Sequence, residues 1–255
     1  MSTQNAFLAT EPPPPDRATQ FGLRPPAQIL KFLEPRAVLE TLCLLPSAPA
    51  LALRARGDGR PIMVIPGFLT DDRSTWPLRT YLNWLGYRSQ GWSMGRNNGQ
   101  PERDAEVLAK RIDEMDDEEP ITLIGWSLGG VVAREVARRI PHRVREIITM
   151  GTPIEGGPKY TIAGEKFAER QNLDLDDFEV HIHEINRKGV TVPITAIYSY
   201  GDGIVGWRAM IDRYNAHTRH RRVIGSHLGL GTNPLVWHIV ERTLRRSTTV
   251  EEAAK

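Results

Sequence analysis

Gly125-Trp126-Ser127-Leu128-Gly129 is the segment whose residue types and spacing most clearly allow chemistry. It follows the apolar run Ile121-Thr122-Leu123-Ile124 and leads into a helical stretch, Leu128 to Ile140, stopped by Pro141. A sharp turn from strand to helix holds a serine in strained backbone angles and presents its hydroxyl, and bulky side chains at 125 or 129 would strike the neighbouring strand and helix. A serine hydroxyl is a weak nucleophile at neutral pH. It needs an imidazole to take its proton, and the imidazole needs a carboxylate to fix its tautomer and stabilise its charged form. The acid best placed for this is Asp202, in Gly201-Asp202-Gly203 just after the apolar run Ile194 to Tyr200. A parallel strand ends there on the sheet edge where ligands bind. The best placed base is His227, in the glycine-rich loop Gly225-Ser226-His227-Leu228-Gly229 beyond the last strand. Each has a plain competitor. An aspartate in a Gly-Asp-Gly turn commonly serves the turn itself, and His142, His217, His220 and His238 are also available.

Those residues must be carried by elements. From Arg60 onward, short apolar runs alternate with longer mixed stretches, which predicts a parallel sheet wrapped in helices. Strands are expected at 62–65, 87–91, 121–124, 144–150, 194–200 and 222–224, with helices starting near Ser74, Arg103, Leu128, Trp207 and Pro234. Residues 154–192 do not continue the alternation and are too many for an ordinary loop. They read as an inserted cap or lid, with Ile162, Phe167, Leu173, Leu175 and Phe178 as its apolar face. Residues 1–27, with Pro12 to Pro15 in a row and then Pro25-Pro26, read as a mobile tail, and 247–255 as a second. Between them and the sheet, residues 28–50 form an N-terminal helical segment. There Ile29, Leu30, Leu33, Ala37, Val38, Leu42 and Leu45 recur at helical spacing, with a break or new start at Pro35. Such a stripe is expected to bury itself in the core; the alternative is a dock on a membrane surface.

Composition excludes several classes. With 33 Lys plus Arg against 31 Asp plus Glu, the net charge of +2 gives no nucleic-acid footprint. No apolar run approaches the ~18 residues that span a bilayer. The first residues lack the basic and apolar regions of a secretory leader, so a cytoplasmic protein is expected. Cys43 is the sole cysteine and, among leucines, reads as a small buried hydrophobe. His181 and His183 could share one side of a strand as metal ligands, but no third ligand is near and no metal site is expected. Gly201 to Gly206 matches a dinucleotide fingerprint, yet the following strand has no carboxylate to hold a ribose.

The motifs Ile65-Pro66-Gly67-Phe68, Gly125 to Gly129, Gly201-Asp202-Gly203-Ile204-Val205 and Gly225-Ser226-His227, in that order, make residues 61–244 resemble the α/β-hydrolase family, and within it the small bacterial lipases and esterases. The resemblance implies an α/β-hydrolase fold, a mostly parallel sheet flanked by helices with a cap, over residues 51–246. It implies a Ser127-His227-Asp202 triad that cleaves carboxylic esters without metal or organic cofactor, acting on a small-molecule ester or lipid. It also implies an oxyanion hole made by the amides of Phe68 and Leu128, with Leu69 as a rival for the first, since Pro66-Gly67 stands where many lipases have His-Gly. The same triad would serve a thioesterase or acyltransferase, and the fold without turnover would be a binding protein.

Overall fold

The structure, a computed structural model, describes residues 16–54 and 56–252, with side chains to 247. In chain order the elements are α1 (Arg17–Phe21), α2 (Gln28–Phe32), α3 (Ala37–Leu42), α4 (Leu44–Ala52), β1 (Pro61–Ile65), α5 (Asp72–Leu85), β2 (Arg88–Gly91) and α6 (Pro101–Asp113). They continue with β3 (Ile121–Trp126), α7 (Leu128–Arg139), β4 (Val144–Met150), α8 (Gly164–Gln171), α9 (Leu175–Arg187), β5 (Ile194–Ser199), β6 (Arg219–Val223) and α10 (Pro234–Glu252). The six strands form one parallel sheet in the order β2-β1-β3-β4-β5-β6. The order reverses between β1 and β3, so the loops after these two strands diverge and leave a crevice at the carboxyl edge.

Burial on both faces explains why β1 and β3 read as unbroken apolar runs. Ile62, Val64, Ile124, Ile148 and Ile197 pack on one face against α4, α5 and α10, through Leu51, Leu82, Leu85, Val236, Trp237 and Val240. Met63, Ile65, Leu123 and Ile147 pack on the other against α6 and α7, through Leu108, Ile112, Val132 and Val136. The strands adopted the expected places, with β6 starting three residues earlier than its apolar residues suggest. The expected helix at Trp207 is a single 3-10 turn, Trp207–Met210.

The N-terminal region departs from expectation. Residues 1–15 of the expected tail, and 253–255 of the second, lie outside the described residues. Residues 16–27 are built into the fold. Asp16 caps α1 by accepting from the Ala18 amide at 3.1 Å, Arg17 pairs with buried Glu155 at 2.9 Å, and Leu23 packs with Tyr160, Val205 and Met210. Likewise α10 runs on through residues 247–252.

The arm made by α2, α3 and α4 does not bury its apolar stripe. Ile29, Leu33, Val38, Leu42 and Leu45 are exposed, Cys43 is exposed with them, and the buried or half-buried positions include Glu34, in the 3-10 turn Glu34–Arg36 between α2 and α3, and Glu40 of α3. The arm is amphipathic in the inverted sense, with its acids turned inward.

Candidate active site

Ser127 sits at the junction of β3 and α7 with φ 54° and ψ −123°, a left-handed conformation costly for any residue but glycine. What holds it is a tight backbone crossing. Its amide donates to the Met150 carbonyl at 2.8 Å, and its carbonyl accepts from the Thr152 hydroxyl at 2.9 Å. A Cβ on Gly125 would strike the backbone of Gly129 and Gly130, and one on Gly129 the Ile65 carbonyl. Both glycines are therefore required by close approach, as the motif predicts.

Asp202 and His227, far apart in sequence, meet beyond the ends of β5 and β6. His227 Nδ1 lies 2.6 Å from Asp202 Oδ2, and both side chains are buried. The other carboxylate oxygen, Oδ1, accepts from the amides of Ile204 at 2.9 Å and Val205 at 2.7 Å, so the whole acid is fixed. Burial by itself would lower the His227 pKa; the charge and hydrogen bond of Asp202, with the charge of Glu34 behind it, outweigh burial and raise it above 6.5.

Glu34 is a residue that the motifs do not point to. Its side chain is buried between the two loops: Oε1 accepts from the amides of Gly203 at 2.7 Å and His227 at 2.9 Å, and Oε2 from the amide of Leu228 at 2.9 Å. Two turns on, Glu40 accepts from the Ser226 amide at 2.7 Å and from Asn233 Nδ2 at 3.2 Å, and Arg36 donates to the Gly201 carbonyl. The arm thus ties together the loop bearing Asp202 and the loop bearing His227. One sequence signal existed: Glu34 and Glu40 are the only acids between Asp16 and Asp58, isolated in an apolar and basic stretch. The Gly201 to Gly206 run has the same origin. A Cβ at Gly203 would meet the Leu30 carbonyl, and one at Gly206 the Arg24 carbonyl, so these glycines let the arm pass.

The loop after β1 brings Phe68 and Leu69 to the wall facing Ser127 and Leu128. The Leu69 amide already donates to the Asn97 carbonyl at 2.7 Å, and the Asn97 side chain donates to the Pro66 carbonyl at 2.9 Å. Asn97, fully buried, was also not foreseen. The competing histidines stand apart: His142 lies on the surface near Asp113, and His220 accepts from the Asp212 amide at 3.0 Å. His181 and His183 fall on helix α9 and not on a strand, and they meet different partners, Glu102 at 2.6 Å and Tyr214 at 2.9 Å.

Ser127 and His227 open into a cavity of about 300 Å³ with almost wholly apolar walls. The insertion supplies much of its roof. Phe167, Phe178 and Ile182 line it, with Phe68 packed edge-on to Phe167 at 5.6 Å and Phe167 at 5.8 Å from Phe178. Ile162, Leu173 and Leu175 are not among the lining residues; Ile162 is exposed, and Leu175 lies against the start of α8.

A family model described as the alpha/beta hydrolase fold matches residues 65–181. Comparison with curated proteins gives no match. Among solved structures, a lipase-esterase related protein from Clostridium acetobutylicum is similar at 17% identity and a TM-score of 0.53, over 74% of this chain and 97% of that one. Naproxen esterase from Bacillus subtilis is similar at 17% identity and a TM-score of 0.50, over 75% and 85% of the two chains. A thioesterase domain from the curacin biosynthetic pathway is similar at 11% identity and a TM-score of 0.52, over 76% and 93%. At these identities the likeness is one of fold. Together with the parallel six-stranded sheet and the matched family model, it gives this chain the α/β-hydrolase fold.

Proposed function

We propose that the chain is a serine hydrolase of carboxylic esters with apolar acyl groups. The observation that carries this reading is the buried 2.6 Å pairing of His227 with Asp202 on the wall of the apolar cavity into which strained Ser127 opens. In the first half-reaction Ser127 Oγ bonds to the ester carbonyl carbon as its proton passes to His227 Nε2. The negative charge that develops on the carbonyl oxygen is held by the amides of Phe68 and Leu128; the engagement of the Leu69 amide with Asn97 favours Phe68 over Leu69 as the first donor. Each such donor contributes about 3 kcal/mol to the transition state. The carbon–oxygen bond to the leaving alcohol then breaks, and that oxygen takes the proton from His227. Water, giving a proton to His227, adds to the carbonyl carbon of the acyl-serine; the bond from that carbon to Ser127 Oγ then breaks, the acid leaves, and Oγ takes the proton back from His227. Asp202 holds the imidazole with Nδ1 protonated, so that Nε2 is the free base. Glu34 is a positioning residue in this account, since it touches the loops of both the acid and the base and never the substrate.

A thioester would react by the same steps with a thiol as leaving group, and an acyltransferase would admit an alcohol in place of water. The apolar roof supports the acyl side of the reading and says nothing of the leaving group. Turnover of nitrophenyl esters of rising chain length tests the proposal. Ser127→Ala abolishes turnover with the melting temperature unchanged, and Asp202→Asn lowers kcat by about 10⁴, as in other triads. Unaltered turnover in pure Ser127→Ala protein would contradict the nucleophile, and near-normal Asp202→Asn activity would move the acid role elsewhere.

A further inference from the structure

The outer face of the N-terminal arm has no role in the site its inner face builds. Ile29, Phe32, Val38, Leu39, Leu42 and Leu45 are each between 53% and 74% exposed within seventeen residues of chain, whereas exposed apolar residues that need no explanation are scattered singly. The loop that Glu34 and Glu40 hold adds Ile224 and Leu228, both exposed, and Leu228 also lines the cavity above Ser127. Between residues 28 and 54 the only acids, Glu34 and Glu40, are turned inward, and Arg36 turns inward with them onto Glu40 and the Gly201 carbonyl, which leaves Lys31 and Arg54 as the arm's other positive charges. The outward chemistry of the arm is therefore apolar and basic.

A second feature has the same sign. The arm packs on α10 through Leu44 and Leu51, and α10 also forms a cleft of about 600 Å³ with edge strand β6. Arg219 and Arg221 of the strand face His238, Arg242, Arg245 and Arg246 of the helix across it, and no carboxylate is among its described lining residues. Arg242 and Arg246, four apart on one helix face, repel each other where an isolated helix would favour opposite charges. Both features are built on α10, which packs Leu44 and Leu51 of the arm and lends the cleft its helix arginines.

We propose that this side of the molecule docks on an anionic lipid surface, with the apolar residues of the arm entering the interface and the arginine cleft meeting the headgroups. Charge decides the choice of occupant. A second copy of the chain, joined about a twofold axis through this face, would bring like-charged clefts toward one another. An anionic bilayer satisfies both the apolar and the basic chemistry. The inference stands on the arm and cleft and is independent of the proposed ester hydrolysis.

Flotation of the full chain with phosphatidylcholine vesicles, with and without phosphatidylserine, tests it. The protein floats with the serine-lipid vesicles, and its bound fraction falls as salt rises. Phe32→Ser with Leu45→Ser lowers vesicle affinity by about tenfold or more, since two large apolar side chains no longer enter the interface, and leaves the melting temperature unchanged. Arg242→Ala with Arg246→Ala reduces binding to the level seen with phosphatidylcholine alone. Failure of the wild-type chain to float with either vesicle would overturn the proposal, as would salt-independent binding. A concentration-dependent dimer in light scattering, abolished by the same apolar substitutions, would assign the face to a second copy instead.

Discussion

At the scale of single residues, the site depends on how few atoms are left to chance. Both Asp202 oxygens are committed, one to His227 and one to two backbone amides, so the imidazole has a single orientation available. Glu34 extends the same control one layer outward and adds a charge that favours the protonated ring. With Glu34→Gln that charge is gone, and the acid limb of kcat/KM against pH, set by the raised His227 pKa, moves to lower pH. The Gln amide also turns a donor toward the Leu228 amide or the Gly203 and His227 amides, and loss of one such charge-assisted bond costs about 1.5–3 kcal/mol. We therefore expect kcat/KM on the plateau to fall by about tenfold or more. A fall in rate with the limb unmoved would reduce Glu34 to a structural tie.

At the scale of elements, the insertion divides its work between two helices and two kinds of apolar residue. Phe167 of α8 lines the cavity, whereas Leu175 of α9 packs on α8. Phe167→Ser should weaken use of long acyl chains more than short ones, because each lost methylene contact is worth about 0.8 kcal/mol. Leu175→Ser should lower the melting temperature and depress every ester alike. Equal chain-length profiles for wild type and Phe167→Ser would remove the roof from the acyl site. The inner strands were legible in the sequence because burial on both faces leaves an unbroken apolar run, and Asp202 because it follows such a run; His227 follows the largely exposed edge strand β6 and was legible from its glycine-rich loop and its place after the serine and the acid. The insertion's lining was half legible: a helical stripe such as Phe167 and Phe178 marks a buried face but not what it covers. For the same reason the arm was misjudged. The periodicity of Ile29 to Leu45 is real, yet the face it marks points outward, because the fold uses Glu34 and Glu40 on the other side. No local pattern announces a carboxylate whose partners lie 169 to 194 residues away.

At the scale of the whole molecule, long-range ties hold the site's two sides together. Arg134 of α7, one turn beyond the glycines that follow Ser127, pairs with Asp212 at 2.6 Å, and neither is exposed. Asp212 in turn accepts from the Tyr214 and Asn215 amides and the Thr218 hydroxyl, fixing the connection between β5 and β6. Asp212→Ala leaves a buried guanidinium without its partner and should cost about 3–5 kcal/mol in denaturant unfolding. Burial tends to raise the Asp212 pKa, but Arg134 and the hydrogen bonds prevail and lower it. The stabilisation is thus complete above the unfolded carboxyl value, about 3.9, and is lost as pH falls through the lower folded value. Wild type and Asp212→Ala should differ at pH 7 and converge in acid; a difference of under about 1 kcal/mol at pH 7 would show that the pair does not brace the fold.

The central claim is that Ser127, activated through His227, is a nucleophile. Treatment of the folded full chain with a fluorophosphonate, followed by intact-mass measurement and peptide mapping, tests it most directly. The account predicts one adduct, on Ser127, absent from Ser127→Ala and formed far more slowly in His227→Ala. No adduct on the wild-type chain, or an adduct on another residue, would contradict it.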